Sequence, residues 1–122
     1  MSKPRLIGIA PQIIVTDVVK TVEYYCNILG FKLINYFMDP PVYGMVERDG
    51  FQIHFGKGDA VHINANIRAD MTDFVIWIPD IDAFYAEVNG NGADIVQEIT
   101  NRPYGREFLI RDCDGHRILV ND

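Results

Sequence analysis

Serine is almost missing from this chain: Ser2 is the only one in 122 residues. That excludes a serine nucleophile on a G-x-S-x-G elbow. Cys26 and Cys113 are the only cysteines. They are too few for a disulfide framework, lack zinc-ligand spacing and carry no signature of a catalytic thiol. No G-x-G-x-x-G or Walker loop is present, since "GKGD" from Gly56 lacks both the spacing and the Lys-Ser/Thr ending. No apolar run approaches the roughly 18 residues of a membrane span. The N-terminal "MSKPRLIGIAPQ" has a basic start but neither a full apolar core nor a small-residue cleavage site, so a cytoplasmic location is expected. Positive charge is also in deficit. Eleven Lys and Arg against 17 Asp and Glu give a formal net charge of −6, which disfavours nucleic acid and anionic membranes as partners. The same balance suits a neutral or cationic small ligand, or serves only solubility.

What remains is the composition of one globular domain, 48% apolar and 23% charged. Leu6 to Val15 suggests a strand, with Pro11 belonging at a strand start or an edge. Asp17 is an N-cap signal, Val18, Val22, Tyr25, Ile28 and Leu29 recur at helical spacing, and Gly30 stops the helix. Phe31 to Met38 reads as a strand broken by Pro40-Pro41. Val42 to Arg48 and Phe51 to Gly56 read as a hairpin around Asp49-Gly50. After an aperiodic linker at about 58–71, the order repeats. Phe74 to Ile78 is a strand, Asp80 an N-cap, and Ile81, Phe84, Tyr85 and Val88 a helical stripe stopped by "NGNG". Strands follow at about 94–99, 106–111 and 116–120.

The chain therefore reads as βαβββ written twice, with module 1 at about 5–57 and module 2 at about 72–122 of a single domain spanning 1–122. Asp17 precedes Asp80 by 63 residues, and Asp49-Gly50 precedes Asp114-Gly115 by 65. A near-constant offset between unlike landmarks implies a duplicated module.

Two such modules, with "VTDVVKTVEYYCNILGF" early and "GREFLIRDCDGHRILV" late, resemble the vicinal oxygen chelate superfamily of glyoxalases, extradiol dioxygenases, fosfomycin-resistance enzymes and bleomycin-resistance proteins. "RPYGREF" ahead of the late Asp-Gly turn looks most like the glyoxalase and bleomycin-resistance branch. The resemblance implies an α+β fold in which tandem βαβββ modules form a curved mixed sheet, a partial barrel around a concave cavity. It also implies a homodimer, often with an exchanged N-terminal strand. It does not decide function, because the family includes lyases, dioxygenases, transferases and proteins that only bind.

Enzymes of this family hold a divalent metal at four positions, which the resemblance places at Ala10, His54, Asp73 and Leu119. Ala10 and Leu119 offer no lone pair, and a catalytic metal normally has three protein ligands. No resident metal or other cofactor is therefore expected; were one bound, His54 and Asp73 would be its ligands. Gln12 and Gln52 share strand parity with Ala10 and His54, which leaves a shifted site open. His54 is the best candidate for an acid or base, or else is a histidine satisfied inside the barrel. Asp73 is a ligand partner or merely the polar start of a strand. Trp77 shares a face with Asp73, and with Gln52, His54 and Arg117 would give an apolar wall carrying a few polar groups. Trp77 equally suits core packing or a dimer seam. Tyr43 and Phe108 align at the offset of 65 and, with Tyr104 of "RPYGREF", complete the candidate ligand-binding set. The expected function is metal-free binding or sequestration of a flat or cationic small molecule, in the manner of antibiotic-resistance proteins. The alternative is a metal-dependent lyase or dioxygenase using His54 and Asp73.

Overall fold

The computed structural model describes residues 3–59 and 72–122. Among the described residues there are ten regular elements, in the order β1 (Gln12–Val15), α1 (Val18–Asn27), β2 (Lys32–Phe37), β3 (Tyr43–Arg48), β4 (Phe51–Lys57), β5 (Phe74–Trp77), α2 (Ile81–Gly90), β6 (Asp94–Arg102), β7 (Gly105–Arg111) and β8 (Arg117–Asn121). They form two open four-stranded sheets with identical topology, β1-β4-β3-β2 and β5-β8-β7-β6. In each, the first strand runs parallel to the last while the other pairs are antiparallel. This is the expected α+β fold of two βαβββ modules. Beyond Asp59, the expected linker and its His62 lie outside the described residues. Among the described residues no helix is long and apolar enough to cross a membrane.

The helices begin where the caps predict. The Asp17 carboxylate accepts from the Lys20 amide and the Asp80 carboxylate from the Ala83 amide, satisfying donors that a first turn leaves unpaired. α1 buries Val18, Val22 and Tyr25 against one face of the first sheet, and α2 buries Ile81, Phe84 and Val88 against one face of the second. The close approach of α1 needs Gly44, where an added Cβ would meet Val18 and Val22 methyls at 2.9 and 3.0 Å. The Asp49-Gly50 turn has positive φ at both residues, 54° and 87°, as a two-residue hairpin turn of the primed type requires.

The modules interlock by a reciprocal contact. The β3–β4 hairpin of module 1 reaches α2, where the Arg48 guanidinium pairs with Glu87 at 2.7 Å, donates to the Leu29 carbonyl and lies 5.0 Å above the Phe84 ring. The β7–β8 hairpin of module 2 reaches α1. There Asp112 accepts from the buried Tyr25 hydroxyl at 2.7 Å and Asp114 from Thr21 at 3.1 Å. His116 closes the same seam, with its Nε2 donating to the Ile14 carbonyl at 2.8 Å. One continuous core results, with Val15, Tyr25, Phe55, Phe108, Ile118 and Val120 fully buried.

Three expectations change. The first strand begins at Gln12, after Pro11, because only Gln12 to Val15 find ladder partners on β4; Leu6, Ile7 and Ile9 stand 84, 95 and 91% exposed. "RPYG" is a two-residue turn between Arg102 and Gly105, so β6 and β7 extend further toward it than the pattern suggested. The constant offset of 65 also fails on one strand. The second closing hairpin carries three loop residues, Cys113 to Gly115, between Asp112 and His116, against two in the first. The offset is therefore 65 between β4 and β8 but 64 between β3 and β7, which makes Glu107 rather than Phe108 the counterpart of Tyr43.

Candidate functional site

Alternation along each strand sends one set of side chains to the helix and the other to the open face. On module 1, Ile13, Val15, Val46, Ile53 and Phe55 go inward. Gln12 of β1, Tyr43 and Met45 of β3, and Gln52 and His54 of β4 take the opposite parity. Ladder register sets Gln12 and Met45 on either side of His54, and Tyr43 opposite Gly56. With no side chain at Gly56, the Tyr43 ring leans toward the imidazole, the two rings standing edge to face with centroids 5.5 Å apart. Three hydrogen bonds of 2.8 Å then string four side chains together: Gln12 Nε2 to Tyr43 Oη, Tyr43 Oη to His54 Nδ1, and His54 Nε2 to Gln52 Oε1. Phe37, opposite Tyr43 on β2, extends the aromatic surface and is 62% exposed.

The open face of module 2 has a different character at equivalent places. Val75, Leu119 and Leu109 occupy the ladder positions of Gln12, His54 and Met45. Trp77, 71% exposed, stands beside Asn121, which is opposite Glu107. The Glu107 carboxylate accepts from the Tyr104 hydroxyl, which raises the pKa of that phenol, and lies 3.7 Å from Arg102 Nε. At the far end Asp73 accepts from the Arg117 amide at 2.8 Å and lies 3.6 Å from Nδ1 of the buried His116.

Of the residues the sequence singled out, Tyr43, Gln52 and His54 thus meet in one chain on sheet 1. Asp73, Trp77 and Arg117 share the open face of sheet 2, with Tyr104 at its β6–β7 turn. Phe108 does not belong to the set. It is fully buried under α2, packed on Phe84 and Tyr85, because a one-residue slip in register exchanges the faces of a strand. Gln12, Glu107 and Asn121 were not in that set. Parity with His54 marks Gln12, whereas Glu107 becomes visible only with the offset of 64.

The donors present do not fit a metal centre of the family's kind. Ala10 and Leu119 carry no lone pair and both ring nitrogens of His54 are engaged by Tyr43 and Gln52, which leaves Asp73 as the one uncommitted donor of the four, fewer than a catalytic metal needs. Among the described residues no three His, Cys, Asp or Glu side chains gather into a ligand set. A depression of about 390 Å³ is lined by Gly30, Lys32, Glu47, Arg48, Asp49 and Glu87. The Arg48–Glu87 pair sits in it, and it lacks the apolar walls of a small-molecule site.

Solved structures share this architecture. The bleomycin-binding protein of Streptomyces verticillus, complexed with copper(II)-bleomycin, matches with a TM-score of 0.76 at 19% identity, covering 98% of each chain. TnmS3, an antibiotic-binding protein of Streptomyces sp. CB03234, matches at 0.71 and 18%, covering 97% of this chain and 98% of that one. The fosfomycin resistance protein FosX of Listeria monocytogenes, complexed with Mn(II), matches at 0.70 and 19%, covering 96% and 90%. At these identities the likeness is one of fold. No curated protein is significantly similar in sequence. The family model of the glyoxalase/bleomycin resistance protein/dioxygenase superfamily matches residues 8–120, nearly the whole chain, and the protein belongs to that superfamily.

Proposed function

We propose that this is a cytoplasmic, homodimeric small-molecule-binding protein that sequesters a flat ligand of the antibiotic class on its open sheet faces, without a resident metal. The hydrogen-bonded chain Gln12–Tyr43–His54–Gln52 carries the reading. It sets fixed polar groups beside the exposed aromatic ring of Phe37, the mixture that small-molecule sites use. It also holds both nitrogens of the one imidazole that a family metal would need. A flat ligand fits the aromatic surfaces of Tyr43, Phe37 and Trp77.

Dimerisation is supported by uncovered apolar side chains: Leu6, Ile7 and Ile9 project from the segment leading into the edge strand β1. A second copy that took up this segment as an exchanged strand would cover them.

Elemental analysis of protein purified without chelator, together with Trp77 fluorescence titrations against flat antibiotics, tests the binding reading. Metal-free protein with saturable quenching is expected. About one tightly held metal per chain would refute it in favour of a lyase or dioxygenase. Light scattering before and after deletion of residues 1–9 tests the dimer, which the deletion is expected to weaken.

A further inference from the structure

The Gln12–Tyr43–His54–Gln52 chain contains one hydroxyl hydrogen and, with the imidazole neutral, one ring hydrogen, so its hydrogen bonds must all run in one direction. In one direction, the Gln12 amide donates to the Tyr43 oxygen, the Tyr43 hydroxyl donates to His54 Nδ1, and His54 Nε2–H donates to the Gln52 carbonyl. Turning both amides by half a turn reverses every donor. Gln12 Oε1 then accepts from Tyr43, Tyr43 accepts from His54 Nδ1–H, and His54 Nε2 accepts from the Gln52 amide. The same three contacts survive, and only the tautomer of His54 changes.

The two directions present different outer atoms to the open face. In the first, Gln12 offers its carbonyl and Gln52 its amino group; in the second the roles exchange. Each direction offers one amide acceptor and one amide donor, and the four side chains bring no net charge. Glu47, opposite Gln52, accepts from the Gly50 amide and has Lys32 opposite it on β2.

We propose that this chain is a reversible reader of uncharged ligand groups that carry both a donor and an acceptor, such as a carboxamide or lactam, with the ligand setting its direction and His54 changing tautomer to follow. Gln12 and Gln52 are then the specificity-determining residues and Tyr43 and His54 the positioning residues. The proposal rests on the binding reading above and deepens it.

The test of reversal needs no ligand. A carboxylate can only accept, so Gln12→Glu should fix the second direction and Gln52→Glu the first. The ¹⁵N resonances of His54, assigned by their loss in His54→Gln and recorded at a pH where the ring is neutral, should report Nδ1–H in Gln12→Glu and Nε2–H in Gln52→Glu. The same tautomer in both variants overturns the reversal. For ligand class, benzamide, benzamidinium and benzoate share one shape and differ in charge. Benzamide should shift the His54 resonances with an affinity at least about tenfold above either ion, since neither ion finds a counter-charge in the chain. Equal or tighter binding of an ion, or no shift with any of the three, overturns the ligand class. These outcomes are separate from that of the binding reading, which fails on tightly held metal.

Discussion

The seam between the modules can be tested through one atom, the hydroxyl oxygen of Tyr25. The side chain is fully buried, its ring packs against Phe31 and Phe55, and its hydroxyl donates to Asp112 at 2.7 Å. Tyr25→Phe keeps the ring contacts and removes only that bond. The backbone amides of Asp114 and His116 both donate to Oδ1 of Asp112, so the substitution leaves Oδ2 without the partner it has in Tyr25. A hydrogen bond to a charged group contributes about 1.5–3 kcal/mol, and a chain of this length loses roughly 4 °C of melting temperature per kcal/mol. The expected loss is therefore about 2 kcal/mol, or ~8 °C, by urea and thermal denaturation followed by circular dichroism. The pH dependence is a sharper test. Burial, the largest influence, raises the Asp112 pKa above its ordinary 3.8, although the bond from Tyr25 pulls it down. With a raised folded pKa, the contribution of Asp112 to stability is greatest below 3.8 and is lost as pH rises through the folded value. The Tyr25 bond favours the ionised form, so its removal should cost most above the folded pKa. On acidification toward 3.8 the cost should shrink to that of a neutral bond, about 1 kcal/mol. A penalty below ~0.5 kcal/mol at neutral pH, or one that does not change with pH, would refute this account of the seam.

Two further substitution pairs probe register and the reciprocal contact. Phe108→Ala should cost about 3–5 kcal/mol in chemical denaturation because it empties a fully buried site, whereas Trp77→Ala, on the open face, should stay within about 0.5 kcal/mol. The opposite ranking would return Phe108 to the open face. Arg48→Ala should cost about 1–2 kcal/mol, because the side chain also packs on Phe84 and caps the Leu29 carbonyl. Glu87→Gln removes only a partly exposed ion pair and should cost under about 1 kcal/mol, a difference that high salt erases.

The sequence was most legible where local chemistry decides the backbone. Asp17 and Asp80 cap their helices with their own side chains, Asp49-Gly50 adopts the turn its residue types demand, and buried strands alternate with period two. Each of these is settled within a few residues. The open face was legible only as far as parity could be carried. Parity places Gln52 beside His54, and Gln12 follows because β1 pairs with β4 in register. Tyr43 and Phe108 could not be resolved this way. The single extra loop residue between Asp112 and His116 changes the offset on β7, and nothing in the local pattern of "GREFLIR" distinguishes an apolar residue under a helix from one on an open face. The start of β1 was illegible for a related reason. Leu6 to Ile9 have strand-like composition, but a strand exists only where a partner does, and β4 offers its partners to Gln12 and beyond.

Duplication gave the modules one register and opposite surface chemistry, and that difference predicts unequal consequences for exchanging His54 and Leu119. In His54→Leu, Tyr43 keeps Gln12, and Gln52 is exposed enough to be satisfied by water, so the cost should be about 1 kcal/mol or less. In Leu119→His, the imidazole would stand between Val75 and Leu109, which carry no polar group, while Glu107, at the place of Tyr43, is engaged by Tyr104 and Arg102. A half-buried ring without partners should cost about 1–3 kcal/mol. Adding Glu107→Tyr and Arg117→Gln to Leu119→His would supply counterparts of Tyr43 and Gln52, the two partners that His54 has, and should restore part of that loss. A single Leu119→His variant as stable as the triple would mean that the imidazole needs no partners on this face. The Gln12–Tyr43–His54–Gln52 chain would then be a consequence of its surroundings rather than what holds His54 in place.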